Sequence, residues 1–148
     1  MTKRNLIGLA VLCSVLLAAG ACGKKKGAGA AGSNAAKLIG TWQLDGKKSV
    51  AETDMFKKAK PEAKKGIAAM FDKASLTITK DKIKMEGLGK PQVDSYKVLS
   101  ESGKDITVES TDEKGKVEKI TFTFVSDTEI KAVKMEKKGK MTIYAKKK

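Results

Sequence analysis

The chain has 148 residues, with 31 lysines and arginines against 17 acidic residues, no histidine and a formal net charge of +14. Arg4 is the only arginine and the only cysteines are Cys13 and Cys22, so the commonest general base near neutral pH is absent and the bidentate anion clamp nearly so. Zinc sites, Ser–His or Cys–His nucleophilic pairs and arginine-based phosphoryl chemistry are excluded, and a non-enzyme without a cofactor is the default expectation.

The chain opens with Lys3 and Arg4, continues through the apolar stretch Leu6 to Leu17, and reaches Cys22 through Ala18, Ala19, Gly20 and Ala21. A charged start, an apolar centre and small residues before a cleavage point are the layout of a secretory signal. Counted through the small residues to Ala21, the apolar run is about 16 residues, short of the ~20 that a spanning helix needs. A cysteine directly after the small residues resembles the lipobox of bacterial lipoproteins. That resemblance implies cleavage before Cys22, diacylation of its thiol and loss of residues 1–21 as a signal peptide. The chain departs from the family at Ala19, where leucine is usual. An ordinary signal peptide cut near Ala21 is the alternative. Cys13 lies within the apolar segment and leaves with it, so no Cys13–Cys22 disulfide is expected. Gly23 follows the cysteine. By resemblance to lipoprotein sorting in enteric bacteria, this implies an outer-membrane anchor facing the periplasm.

Cleavage leaves 29 basic residues against 17 acidic ones, a net of +12. Residues 22–37 read as a lipidated flexible tether rich in Gly, Ala and Ser, with a root-mean-square reach of roughly 20 Å. Lys24, Lys25 and Lys26 either favour an anionic membrane surface, at about 1 kcal/mol each, or simply keep the tether solvated. Residues 38–148 suit one small domain.

Within that domain, Leu38 to Asp45 reads as a first strand. Ser49 and Glu52 then have the spacing of a capping box. Val50, Ala51, Met55, Phe56 and Ala59 follow as an apolar stripe, and Pro61 breaks or restarts the helix. Ile67, Met70, Phe71 and Ala74 carry helical spacing onward. From Ser75 the period becomes two. Strands are expected at 75–80, 82–86, 94–100, 104–110, 117–125, 128–135 and 140–146, separated mostly by Gly- and Asp-bearing turns. Their inward residues would be Leu76, Ile78, Ile83, Met85, Tyr96, Val98, Ile106, Val108, Ile120, Phe122, Phe124, Ile130 and Ala132. The expected fold is mainly β: an antiparallel meander of about eight strands closing into a barrel, with a helix pair between strands 1 and 2.

Gly40-Thr41-Trp42 matches the G-x-W of the first strand in the lipocalin and fatty-acid-binding-protein superfamily. The order strand, two helices, meander is similar to the fatty-acid-binding branch, and Tyr144 lies where that branch has an Arg-x-Tyr. Thr142 replaces the arginine that holds the ligand carboxylate. The arginine that packs on the lipocalin tryptophan is also missing, and eight strands fall short of the branch's ten. Small lipocalin-like domains of bacterial lipoproteins fit better. The resemblance implies a cavity for a small apolar or amphipathic ligand, held by shape and apolar contact.

Candidate cavity residues are Trp42, Met55, Phe56, Met70, Phe71, Tyr96, Phe122 and Tyr144. Each has an alternative reading: Trp42 as a plug at one end, the tyrosines as ordinary buried side chains, and the helix residues as a cover for the open end. Alternation alone leaves open which face of the last strand points inward. Asp112-Glu113 reads as a turn rather than a catalytic pair. The lysines are dispersed, as on a solvated face. Their expected counterparts are anionic lipid or acidic envelope polysaccharide rather than nucleic acid. The alternative to ligand binding is a structural or interaction module of the envelope with a solid barrel.

Overall fold

The computed structural model describes residues 33–148. The expected signal segment, Cys22 and residues 23–32 of the expected tether lie outside the described residues. Eight strands run in chain order: β1 (Gly40–Asp45), β2 (Ser75–Ile78), β3 (Lys82–Glu86), β4 (Gln92–Ser102), β5 (Asp105–Thr111), β6 (Val117–Ser126), β7 (Glu129–Glu136) and β8 (Gly139–Lys147). Each pairs antiparallel with the next, and β8 returns to β1 to close the barrel. This closed antiparallel barrel is compatible with a lipocalin-like fold. The expected mainly β architecture is observed, with strand ends shifted by one or two residues.

Among the described residues three α-helices accompany the barrel, α1 (Asn34–Leu38), α2 (Gly46–Glu52) and α3 (Pro61–Phe71), with a short 3-10 turn at Asp54–Phe56. The first was not expected, because Gly and Ala dominate the segment before it. Ser33 caps it by accepting from the Ala36 N–H at 3.4 Å, and Leu38, read as the start of a strand, is instead its last residue and fully buried. Asn34 ties α1 to the β4–β5 hairpin, its backbone N–H donating to Glu101 Oε2 (3.1 Å) and its Nδ2 to the Gly103 carbonyl (2.5 Å). Trp42 Nε1 donates to the Leu38 carbonyl at 2.9 Å. One end of the barrel is thus packed shut by Leu38, Trp42, Ile78, Ile106 and Ile130, all essentially buried.

The capping box expected at Ser49 is not used. Asp45 is the N-cap of α2, accepting from the Lys48 N–H at 3.0 Å, so the helix begins one turn earlier. Ser49 is released for another role. The β1–β8 ladder runs only from Asp45↔Tyr144 to Trp42↔Lys147, which leaves β8 before Tyr144 with β7 on one side only. Unpaired ladder groups buried away from water are costly, and side chains from the helical insertion replace the missing strand. Ser49 Oγ accepts from the Tyr144 N–H (2.9 Å), Thr53 Oγ1 from the Thr142 N–H (3.1 Å), and Asp54 Oδ2 from the Lys140 N–H (2.9 Å). Thr53 Oγ1 also donates to the Thr142 carbonyl at 2.9 Å.

α3 starts at Pro61, as the sequence indicates, and packs on α2 and β1. The approach requires glycine at residue 46: a Cβ there would lie 2.0 Å from the Ala68 carbonyl oxygen. Phe56 and Phe71 meet edge to face at 6.4 Å, while Met70, expected inside, is 57% exposed. A second correction concerns Val98. Its register partner Val108 is buried, yet Val98 is 40% exposed. The β3–β4 ladder ends at Lys82↔Ser95, so the remainder of β4 projects past its neighbour and no strand among the described residues shields Val98 or Leu99.

Candidate ligand cavity at the open end

Directly paired residues share a face of the sheet, and the register therefore defines what lines the end opposite α1. Leu76↔Met85, Ile83↔Asp94, Met85↔Gln92, Ile120↔Lys134, Phe122↔Ala132, Ala132↔Ile143 and Lys134↔Met141 all point inward. They surround a cavity of about 130 Å³ that opens to solvent. Its walls are apolar: Leu76, Ile83, Ile120, Phe122, Ala132 and Ile143, with Met85 and Met141 above them. Gln92, Asp94, Glu118 and Lys134 complete its lining.

Of the eight expected cavity residues, the structure places Phe122 in the wall. Trp42 is buried at the other end, with Lys147 Nζ 5.3 Å from its ring centroid. Tyr96 is half-buried, its hydroxyl donating to the Thr79 carbonyl at 2.8 Å. Burial and then the Asp81 charge push its pKa up. Met55, Phe56, Met70 and Phe71 are not among the lining residues. The expectation that they close the open end gives way to a different arrangement, in which the helical insertion braces the wall at β8 and β1.

Tyr144 requires the clearest correction. Met141, Ile143 and Ala145 take the inward positions of β8, so Tyr144 and Thr142 face outward beneath α2. The Tyr144 hydroxyl donates to Glu52 Oε1 at 2.7 Å. Burial, reinforced by the Glu52 carboxylate, pushes its pKa up to about 12. Thr142, at the position of the resemblance's carboxylate-binding arginine, is likewise outside the cavity. Its Oγ1 is buried and unpartnered among the described residues.

The polar lining residues were missed, although alternation carried the signal. Asp94 precedes Tyr96 by two, Glu118 precedes Ile120 by two, and Lys134 follows Ala132 by two. They continue the inward parity to the strand ends. Lys134 Nζ contacts Glu118 Oε2 at 3.1 Å and Glu136 Oε1 at 2.9 Å. Burial works to lower its pKa, but the bonds to Glu136 and Glu118 outweigh it and the net direction is upward. Lys116 also pairs with Glu118 and, with Lys134, holds that carboxyl below its ordinary value against the opposing effect of burial. Asp94 Oδ2 accepts from Ser110 Oγ at 3.2 Å.

Elsewhere, Asp112 forms the turn read from the sequence, its Oδ1 accepting from the N–H groups of Lys114 (2.8 Å) and Lys116 (2.9 Å). Among the described residues no three acidic or thiol side chains gather as metal ligands, and no helix is long and apolar enough to cross a membrane. Comparisons with protein-family models, curated proteins and solved structures give no match to this chain.

Proposed function

We propose that the chain is a lipid-anchored binding protein of the bacterial cell envelope, which takes the apolar part of a small amphipathic molecule into the open end of its barrel. The observation that carries this reading is the apolar cavity with polar groups among its lining residues. Its volume of about 130 Å³ is similar to the ~150 Å³ apolar cavity that admits benzene, and smaller than the ~300 Å³ of a drug-sized site. A ring or short alkyl chain enters and the polar head stays among the lining's polar groups. The anchor rests on the lipobox resemblance at Cys22. The described chain enters through α1, at the end opposite the cavity, so an anchor on that side leaves the mouth clear.

Titration with a small apolar fluorophore tests the cavity. Saturable uptake is expected, and Ala132→Phe, which fills the interior, should abolish it; no uptake by the unaltered protein would overturn the reading. For the anchor, Cys22→Ser should remove lipid labelling and shift the protein to the soluble fraction. Continued membrane association would contradict lipidation as the means of attachment.

One observation favours a second reading, a structural or interaction module without enzymatic activity. The barrel from Trp42 to Phe122 is filled by buried side chains, as a solid core would be. Recovery of a stoichiometric protein partner, together with no ligand uptake, would select it.

A further inference from the structure

We infer that the cavity selects a cationic head group, so that its ligand is a small amphiphile bearing an ammonium on a short alkyl chain or ring. This rests on the binding reading above and adds the sign of the ligand's charge. Three ionic side chains line the cavity: Asp94, Glu118 and Lys134. Lys134 is already held between Glu118 and Glu136, and Glu118 between Lys134 and Lys116. Asp94 forms no ion pair among the described residues and accepts only the Ser110 hydroxyl. Of the two carboxylates that line the cavity, Asp94 is the one without a basic partner among the described residues. It lies opposite Ile83 in the register, beside the apolar wall.

An ammonium against Asp94 gains a charge-assisted hydrogen bond, while its hydrocarbon lies against Ile83, Ile120 and Phe122. An anionic head would instead meet two carboxylates and a lysine whose charge is already engaged. The polarity is therefore the reverse of the arginine-clamped carboxylate of the fatty-acid-binding branch, whose arginine is Thr142 here. That reversal agrees with the placement of Thr142 outside the barrel.

The test compares hexylamine, 1-hexanol and hexanoate, titrated into the full chain at neutral pH and followed by calorimetry or side-chain methyl resonances. Hexylamine is expected to bind about tenfold more tightly than hexanol, with hexanoate weakest. Asp94→Asn should reduce the amine to the level of the alcohol. Hexanoate binding as tightly as hexylamine would overturn the head-group inference and leave the cavity reading standing. Equal amine affinity in a folded Asp94→Asn variant would do the same. Failure of all three to bind would overturn the cavity reading itself. The ranking on the unaltered chain needs no variant, so it decides the matter even where Asp94→Asn fails to fold.

Discussion

At the closed end of the barrel the inward positions are Trp42, Ile78, Ile106, Phe124 and Ile130, packed beneath Leu38 of α1. At the open end the same alternation continues as Gln92, Asp94, Glu118 and Lys134 around an apolar floor. The closed end spends its inward positions on stability, and the buried Trp42 indole N–H there is satisfied within the chain by the Leu38 carbonyl. The open end places polar groups inward where they surround unfilled space. Two ends of one sheet can thus differ in task without any change of strand pattern, because parity decides only which way a side chain points.

The largest expected contrast comes from truncating one side chain at each end. Trp42→Ala should cost about 3–5 kcal/mol, as large core deletions do, measured by denaturant unfolding. Met141→Ala borders existing space and is only partly buried, so its cost should fall below the usual ~2 kcal/mol minimum for such a truncation. Equal losses would erase the distinction between the ends.

A second pair sharpens the role of the helical insertion in sealing β8. Thr53→Val removes both bonds to the Thr142 backbone and should cost about 1–3 kcal/mol for the buried groups left unpaired. Thr142→Val removes a hydroxyl that already lacks a partner and should leave stability unchanged or slightly raised. A large loss from Thr142→Val would show that its hydroxyl is engaged.

Much of the fold follows from period and turn chemistry. The strands from β2 to β8 were legible because polar and apolar residues alternate between turns, and α3 because Pro61 opens an apolar stripe at helical spacing. α1 was not legible: its helix is fixed by tertiary bonds from Asn34 to a hairpin nearly seventy residues away, which no local pattern announces. The start of α2 was misread because Asp45 and Ser49 are both competent caps, and the ladder at β8 claims Ser49. The site was legible only in part. Phe122 follows from alternation, whereas Tyr144 was misplaced because both faces of β8 are shielded, one by the barrel and the other by α2.

Smaller effects are expected at the charged side chains. Glu118→Gln weakens ion pairs to Lys116 and Lys134 that are partly exposed, so its cost should stay within about 1 kcal/mol. Tyr144 reports on the outer wall through its titration. The folded protein holds its proton more tightly than the unfolded chain, whose tyrosines titrate near 10. The stabilisation is therefore full below pH 10 and is lost as pH rises through about 12. Phenolate absorbance should show this late step, and Glu52→Gln should move it downward without removing the part due to burial.

The most direct test of the difference between the ends is a titration with 1-hexanol followed by methyl resonances across the barrel. Met85, Met141, Ile120 and Ile143 should shift together and saturate, while Ile78, Ile106 and Ile130 at the closed end should stay in place. Shifts spread evenly over both sets, or none in the first set, would contradict a binding cavity confined to the open end.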